Sequence, residues 1–245
     1  MNIALIGYGT MGKEVETLAQ KRNITIKQIL TIENNLRGIG ITKQSLKDVD
    51  VCIDFSVPSA VVHNIELVAG CGKNIVVGTT GWYDQLDIIK KIVKEKNTGL
   101  LYSANFSLGM NIFFQIVSSA SHLLDKFDAY DIAINEIHHK RKIDSPSGTA
   151  FTLGQIILQH IRRKKEIFNE RTQKEIKPEQ LHITSTRVGD VVGTHRVLFD
   201  SEADSIELIH SAKNRCGFAL GALIAAEWLK GKKGFYTMKD LLTTM

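Results

Sequence analysis

Cysteine is scarce, with three in 245 residues. Cys52, Cys71 and Cys216 are scattered in apolar surroundings, so they supply neither a disulfide framework nor a metal-ligand cluster. No metal is expected, and all three are expected as buried thiols. Long apolar runs are missing as well. Nothing approaches the roughly 18 to 20 residues that cross a bilayer, and the opening Met1-Asn2-Ile3-Ala4-Leu5-Ile6-Gly7 lacks a signal-peptide layout. A cytoplasmic protein with no membrane partner is expected. Segregated charge is also absent: the 23% of charged residues are well mixed with 43% hydrophobic ones, which excludes disorder as the main state. The net charge of +5 suits a nucleic-acid surface, a membrane surface or an anionic substrate equally. Basic residues are densest at His139-Lys140-Arg141-Lys142 and Arg162-Arg163-Lys164-Lys165. The second cluster is expected as a solvated helix end, where cations suit the negative pole of the dipole.

What is present is a change of pattern along the chain. Up to about residue 107, short branched-apolar runs alternate with helical stretches, which predicts an α/β fold built on a parallel, Rossmann-type sheet. Strands are expected over 3–6, 25–31, 51–55, 74–78 and 99–102, with helices beginning near residues 10, 58, 83 and 107. After residue 128 the strands 129–137, 181–188, 194–200 and 205–210 alternate apolar and polar residues, as antiparallel strands exposed on one face do. A helix is expected over 148–163. Residues 164–180 are too charged for a core, and an apolar helix over 217–230 is expected to return to the first domain. The picture is two lobes with a ligand cleft between them.

Gly7-Tyr8-Gly9-Thr10-Met11-Gly12 follows the first strand and opens the first helix. In such a turn the first glycine permits the tight bend, the second lets backbone approach a pyrophosphate and the third permits close helix packing. Glu33 ends the second strand at about the 20-residue offset where a carboxylate accepts ribose hydroxyls. Gly78-Thr79-Thr80-Gly81 and Ser103-Ala104-Asn105-Phe106-Ser107 each follow a predicted parallel strand, where ligands of such sheets sit; ordinary turn chemistry explains either alone equally well.

The densest chemistry is Glu136-Ile137-His138-His139-Lys140-Arg141-Lys142-Ile143-Asp144-Ser145-Pro146-Ser147-Gly148-Thr149-Ala150. Imidazole exchanges protons near neutral pH, and backbone N–H groups around Gly148 and Thr149 at a helix start cradle an anion. Lys140 and Arg141 read as a solvated basic loop, and one of the two histidines as structural.

This segment is similar to the signature of the dihydrodipicolinate reductase family. Other blocks resemble that family in order: Asp54-Phe55-Ser56-Val57-Pro58, Gly78-Thr79-Thr80-Gly81, Asn105-Phe106-Ser107-Leu108-Gly109-Met110-Asn111, Arg187-Val188-Gly189 and Gly193-Thr194-His195. The resemblance implies a dinucleotide-binding domain over 1–109 completed by 215–245, a substrate-binding and tetramerisation domain of mixed α+β type over 110–214, and a homotetramer. It implies NADH or NADPH as cofactor, held by residues 7–12, Glu33, Gly78, Thr79, Thr80, Ser103, Ala104, Asn105 and Phe106. It also implies a small cyclic dicarboxylate substrate in diaminopimelate and lysine biosynthesis. His138 would be the principal proton donor and acceptor, Lys142 a second donor, and His139, Gly148 and Thr149 the substrate anchors. Two departures stand out. Asn34 occupies the place where many members carry arginine, which weakens the expected 2′-phosphate contact, and the glycine turn is one residue shorter than in many relatives. A nucleotide-sensing regulator that contacts nucleic acid would share the charge and the fingerprint, but it leaves the paired histidines unexplained, and no helix-turn-helix or zinc pattern is present. A related small-substrate dehydrogenase is the nearer alternative.

Overall fold

A computed structural model describes residues 1–245. Along the chain run β1 (Asn2–Ile6), α1 (Thr10–Lys21), β2 (Thr25–Leu30), β3 (Val51–Asp54), α2 (Pro58–Gly70), β4 (Asn74–Val77), α3 (Leu86–Glu95), β5 (Gly99–Tyr102) and α4 (Leu108–Leu124). Then follow β6 (Asp131–His138), α5 (Gly148–His160), β7 (Glu166–Phe168), β8 (Gln180–Arg187), β9 (Gly193–Asp200), β10 (Ser205–Ala212), α6 (Cys216–Leu229), β11 (Gly234–Thr237) and α7 (Met238–Thr244). The chain divides into two compact units, one of Met1–Leu108 with Cys216–Met245 and one of Gly109–Arg215. No helix is long and apolar enough to cross a membrane.

The first unit is built on a six-stranded parallel sheet of order β11-β5-β4-β3-β1-β2. β3 and β4 are buried at every residue, which is why residues 51–53 and 75–77 read as apolar runs: helices cover both faces of the sheet. Strand alternation then feeds two cores. Ile3, Leu5 and Ile53 meet Val15 of α1 and Ala222, Leu223 and Ala226 of α6; Ala4, Ile6, Cys52 and Val77 meet Val61 and Ile65 of α2 and Ile89 of α3. From β1 the chain moves to β2 on one side and later to β3 on the other. That reversal opens a crevice at the carboxyl ends of β1 and β3, where the glycine turn lies.

Three expectations for this unit change. Only Cys52 is buried; Cys71 is half-buried and Cys216 exposed, because they sit just past the end of α2 and at the start of α6, where apolar sequence neighbours do not dictate burial. The edge strand β11 and the helix α7 lie beyond the elements expected from the sequence. β11 has four half-buried residues and pairs with β5, more than a hundred positions earlier, so no local alternation marks it.

The second unit carries a five-stranded sheet of order β10-β9-β6-β8-β7. It is mixed, not antiparallel throughout: β9 runs antiparallel to β6 and β10, while β8 runs parallel to β6 and β7. Alternation reports one covered face and is blind to strand direction; α5, between β6 and β7, is the crossover that a parallel pair requires. Met110, Phe113 and Val117 of α4 and Leu153 and Ile157 of α5 join Ile132, Ile134, Val197 and Phe199 in its core. Residues of the opposite parity, among them Asn135, Ile137, Arg196, Leu198 and Ile209, are half-buried or exposed. The basic cluster after α5 is not a solvated helix end. The helix stops at His160; Arg162 Nε then donates to Asp125 (2.7 Å) and Arg163 to the Tyr130 carbonyl (2.5 Å). Lys164 is buried against Asp131 (2.6 Å) and the Gln180 carbonyl (2.8 Å). Arg162 fastens the end of α4 and Arg163 and Lys164 fasten the starts of β6 and β8, and the short β7 lies inside the stretch that reads as too charged to pack.

Candidate active site

In the first unit the glycine turn has the shape its sequence demands. Gly7 sits at φ +88°, and a Cβ there would come 2.4 Å from the Phe55 carbonyl oxygen; one on Gly12 would meet the Gly7 carbonyl at 2.5 Å. Gly9 is different: nothing lies within 4 Å of a Cβ built on it, so its backbone faces open space that a ligand can fill. That space belongs to a cavity of about 360 Å³, walled by Gly9, Thr10 and Met11, by Gly78, Thr79 and Thr80 after β4, and by Phe55, Ser56 and Pro58 after β3. A nucleotide's phosphates fit such a cradle of bare backbone at a helix start.

The floor of this cavity is pinned by Asp54, which is fully buried. It accepts from Ser56 N (2.8 Å), Ser56 Oγ (2.7 Å), Thr79 Oγ1 (2.7 Å) and Asn64 Nδ2 (2.9 Å). Burial pushes its carboxyl upward, and these hydrogen bonds oppose the shift. One side chain thereby ties the turn after β3 to the turn after β4. Phe55, Ser56 and Pro58 were not singled out as site residues; the signal that could have found them is their place after a buried parallel strand.

The other predicted cofactor residues lie outside this cavity wall. Tyr8 turns its hydroxyl to Glu16. Glu33 is exposed, and the hydroxyl of Thr31 donates to its carboxylate and holds its pKa below the usual range. Asn34 accepts from Thr31 N (2.8 Å) and donates to the Ile29 carbonyl (3.0 Å), so its amide is spent on the turn. Ser103 Oγ donates to the Asn105 carbonyl (2.7 Å) and accepts from its N–H (3.1 Å), Ala104 is exposed, and the ring of the buried Phe106 stands edge-on to Phe55 at 6.1 Å.

In the second unit, β6 alternates so that Ile132, Ile134, Glu136 and His138 all point inward. Glu136 is completely buried. Its Oε1 accepts from Ser147 N, Ser185 Oγ and Arg187 Nη2, each at 2.9 Å, and its Oε2 accepts from the Ser147 hydroxyl. Oε2 also lies 3.3 Å from His138 Nδ1 and 3.6 Å from His195 Nε2. Burial alone would raise this carboxyl; the His195 imidazole 3.6 Å away and the hydrogen bonds from Ser147 and Arg187 outweigh burial and hold it far below the usual carboxylate range. His138 is pushed down to about 4, chiefly by burial, with His195, Lys142 and Arg187 adding to the effect and Glu136 opposing it. It is neutral at pH 7. Ligand atoms of Glu136, His138 and His195 come within 4.8 Å of one another, but Arg187 already supplies the counter-charge that a metal ion would bring.

Beyond the strand, Lys142 Nζ reaches Asp144 Oδ1 (2.8 Å), and the exposed Arg141 pairs with Asp190 (2.7 Å), in keeping with a solvated basic loop. His139 is half-buried, with a buried Nδ1 that has no partner. Ser147 caps α5 by accepting from Ala150 N (3.2 Å). Gly148 is exposed with open space around it, and Thr149 is half-buried beside it. Glu136, Ser147, Arg187 and His195 were not assigned as site residues. Glu136 shares strand parity with His138, which is visible in the sequence; His195 lies opposite Glu136 and Arg187 opposite His138 only through strand register.

Residues 1–106 match the family model described as dihydrodipicolinate reductase, N-terminus, and residues 109–242 the model described as dihydrodipicolinate reductase, C-terminus. The chain is 42% identical over 246 residues to the 4-hydroxy-tetrahydrodipicolinate reductase of Christiangramia forsetii, covering 100% of this chain and 99% of that protein. The enzyme of the same name from Aquifex aeolicus is 40% identical over 216 residues, 86% of this chain and 80% of its own. Among solved structures, a dipicolinate-bound dihydrodipicolinate reductase from Paenisporosarcina sp. TG-14 has the same fold, with a TM-score of 0.79, 24% identity and coverage of 98% of both chains.

Proposed function

The chain belongs to the dihydrodipicolinate reductase family, and on that premise we propose that it reduces 4-hydroxy-tetrahydrodipicolinate to tetrahydrodipicolinate, with loss of water, in diaminopimelate and lysine biosynthesis. It is an NAD(P)H-dependent oxidoreductase. The observation that carries this reading is full-length identity of 42% to a protein of that name. Purified protein given freshly generated substrate should consume NADH or NADPH, seen as loss of nicotinamide absorbance; binding of NADH without turnover would refute it.

In this reading the turn of residues 7–12, Glu33, Gly78, Thr79, Thr80 and residues 103–106 hold the cofactor, and the open backbone at Gly9 supports a phosphate there. The bound cofactor supplies a hydride. Everything else is proton handling and anchoring. His138, neutral at pH 7, takes a proton at Nε2 from the ring carbon beside the departing hydroxyl, and Lys142 protonates that hydroxyl as it leaves as water. Once the ring has been reduced, His138 returns its proton to the same carbon and Lys142 is reloaded from solvent. Each turnover thus consumes one hydride and one proton and releases one water. His139 and the start of α5 at Gly148 and Thr149 hold the substrate's carboxylates, with the helix dipole and free N–H groups as the attraction.

NADH is expected to serve at least as well as NADPH. Glu33 accepts a ribose 2′-hydroxyl and repels a 2′-phosphate, and the amide of Asn34 is already engaged. A kcat/KM strongly favouring NADPH would show that a nearby cation overrides Glu33. The protein is further expected to be a cytoplasmic homotetramer assembled through the outward face of the second unit's sheet, where Leu198 and Ile209 are incompletely covered. Light scattering at micromolar concentration checks this, and a monomer would refute it.

A further inference from the structure

We infer that Glu136 is the positioning residue of the proton-handling site: its buried carboxylate holds the His138 ring, the start of α5 and the Lys142 arm as one assembly. The inference rests on the reading of His138 as the proton carrier.

The three parts converge on one side chain. Glu136 Oε2 lies 3.3 Å from His138 Nδ1. The same carboxylate takes both the backbone N–H and the hydroxyl of Ser147, the residue that caps α5. Its third connection runs through Arg187, whose Nη2 donates to Glu136 Oε1 at 2.9 Å and to the Asp144 carbonyl at 2.5 Å; Asp144 in turn holds Lys142. Register makes this convergence rigid, since Glu136 and His195 are paired across β6 and β9, and His138 and Arg187 across β6 and β8.

A buried ion pair is a poor source of stability compared with well-packed apolar residues, so the placement of this carboxylate asks for another explanation. A carboxylate only accepts hydrogen bonds. Set at Nδ1, it selects the tautomer with the proton on Nδ1 and leaves Nε2 bare, the arrangement a proton acceptor needs. Nδ1 makes no aligned hydrogen bond at this 3.3 Å separation, and catalytic hydrogen bonds that are long in a ligand-free site tighten in the substrate complex. The opposite edge of the ring is set sterically. A Cβ built on Gly193 would lie 2.9 Å from His138 Nε2 and 3.2 Å from Cδ2, so the ring edge uses the space that a side chain would take. The His195 ring stands edge-on to His138 at 5.1 Å and 76°, limiting rotation the other way.

The test is a double-mutant cycle on kcat in the full-length protein, with NADH binding as the check on folding. Glu136→Gln should lower kcat about 10- to 100-fold with NADH affinity unchanged. Glu136→Gln combined with His138→Gln should lose less than the product of the two single losses, because the part of the Glu136 effect that runs through His138 is already gone. Histidine-selective 15N NMR should show His138 protonated on Nδ1 in the native protein and shifted toward the Nε2-protonated form in Glu136→Gln. Wild-type kcat in Glu136→Gln, full additivity in the cycle, or an unchanged tautomer would each overturn the inference. An unchanged kcat in His138→Gln would instead overturn the reading on which it rests. Should the uncompensated Arg187 prevent Glu136→Gln from folding, the pair Glu136→Gln with Arg187→Met removes charge and counter-charge together and carries the same cycle with the same outcomes.

Discussion

The two candidate sites, one in each unit, are made in different ways. The cavity of the first unit is made of backbone: three glycines in six residues, Gly7 and Gly12 demanded by close contacts with the chain and Gly9 left open, with Asp54 as the brace beneath. The proton-handling site of the second unit is made of side chains from two stretches, 136–147 and 185–195, about fifty residues apart, which meet only because β6, β8 and β9 are neighbours. A backbone cradle recognises a shape common to many nucleotides. A side-chain network specifies one protonation state and one geometry, and should be the more fragile of the two.

Four experiments break or sharpen that contrast. The largest effect belongs to the side chains: His138→Gln and Lys142→Ala should each lower kcat by roughly 10² or more, the usual contribution of a positioned proton donor or acceptor, with NADH affinity intact. If both keep wild-type kcat, the proton carrier lies elsewhere and His139 is the first residue to try. Next comes the cradle. Gly7→Ala forces a left-handed alanine, at about 1 to 2 kcal/mol, and sets a methyl 2.4 Å from the Phe55 carbonyl. NADH binding measured by fluorescence should weaken about 10-fold or more, while His138 keeps its NMR signature; wild-type binding would show that the turn is not the cradle.

Thr149→Val is expected to be milder and of a different kind. Its hydroxyl would bind ground state and transition state alike, so steady-state kinetics should show KM for the dicarboxylate raised about 10-fold with kcat nearly unchanged; a fall in kcat alone would move Thr149 into the proton chemistry. The smallest effect concerns pH and stability. The folded-state pKa of His138 is about 4, against the ordinary 6.5, so between these values the unfolded chain binds the extra proton and the folded one does not. Stability is therefore lost as pH falls from about 6.5 towards 4, and below the ordinary carboxylate range the depressed Glu136 adds a loss of the same sign. Tm should drop by a few degrees across the first interval, and His138→Gln should flatten that part of the curve; an identical slope in the variant would refute the assignment.

The same contrast explains what the sequence could and could not reveal. The glycine turn, the buried strands β3 and β4 and the helix start at Gly148 are local, and local physics reads them directly: a tight bend at Gly7, continuous apolar residues over 51–53, free N–H groups at Gly148 and Thr149. The partners of Glu136 are not local. Arg187 and His195 are ordinary strand residues until register places them beside the carboxylate, and resemblance to a family pointed at their neighbourhoods without giving them a task. The direction of β8 and the edge strand β11 escaped for the same reason, since alternation carries no information about which strand lies alongside. Lys164 shows the limit from the other side: a residue in a run of four cations is buried because Asp131 and the Gln180 carbonyl are waiting for it.

The placement of β11 also fixes an order of events during synthesis. The first unit uses residues on both sides of the second, so a ribosome makes all of residues 109–215 before it delivers α6 and β11. Until then β5 is an open edge, and the buried amide of Asn74 lacks the Leu229 and Lys232 carbonyls to which it donates at 2.8 and 2.9 Å. Nascent chains at that stage expose a sheet edge of the kind that recruits other strands, while the second unit can already collapse on its own core. Newly made protein would therefore complete its proton-handling network before α6 and β11 close the sheet that carries the glycine turn, and a ribosome stalled at about residue 215 would leave that edge unpaired.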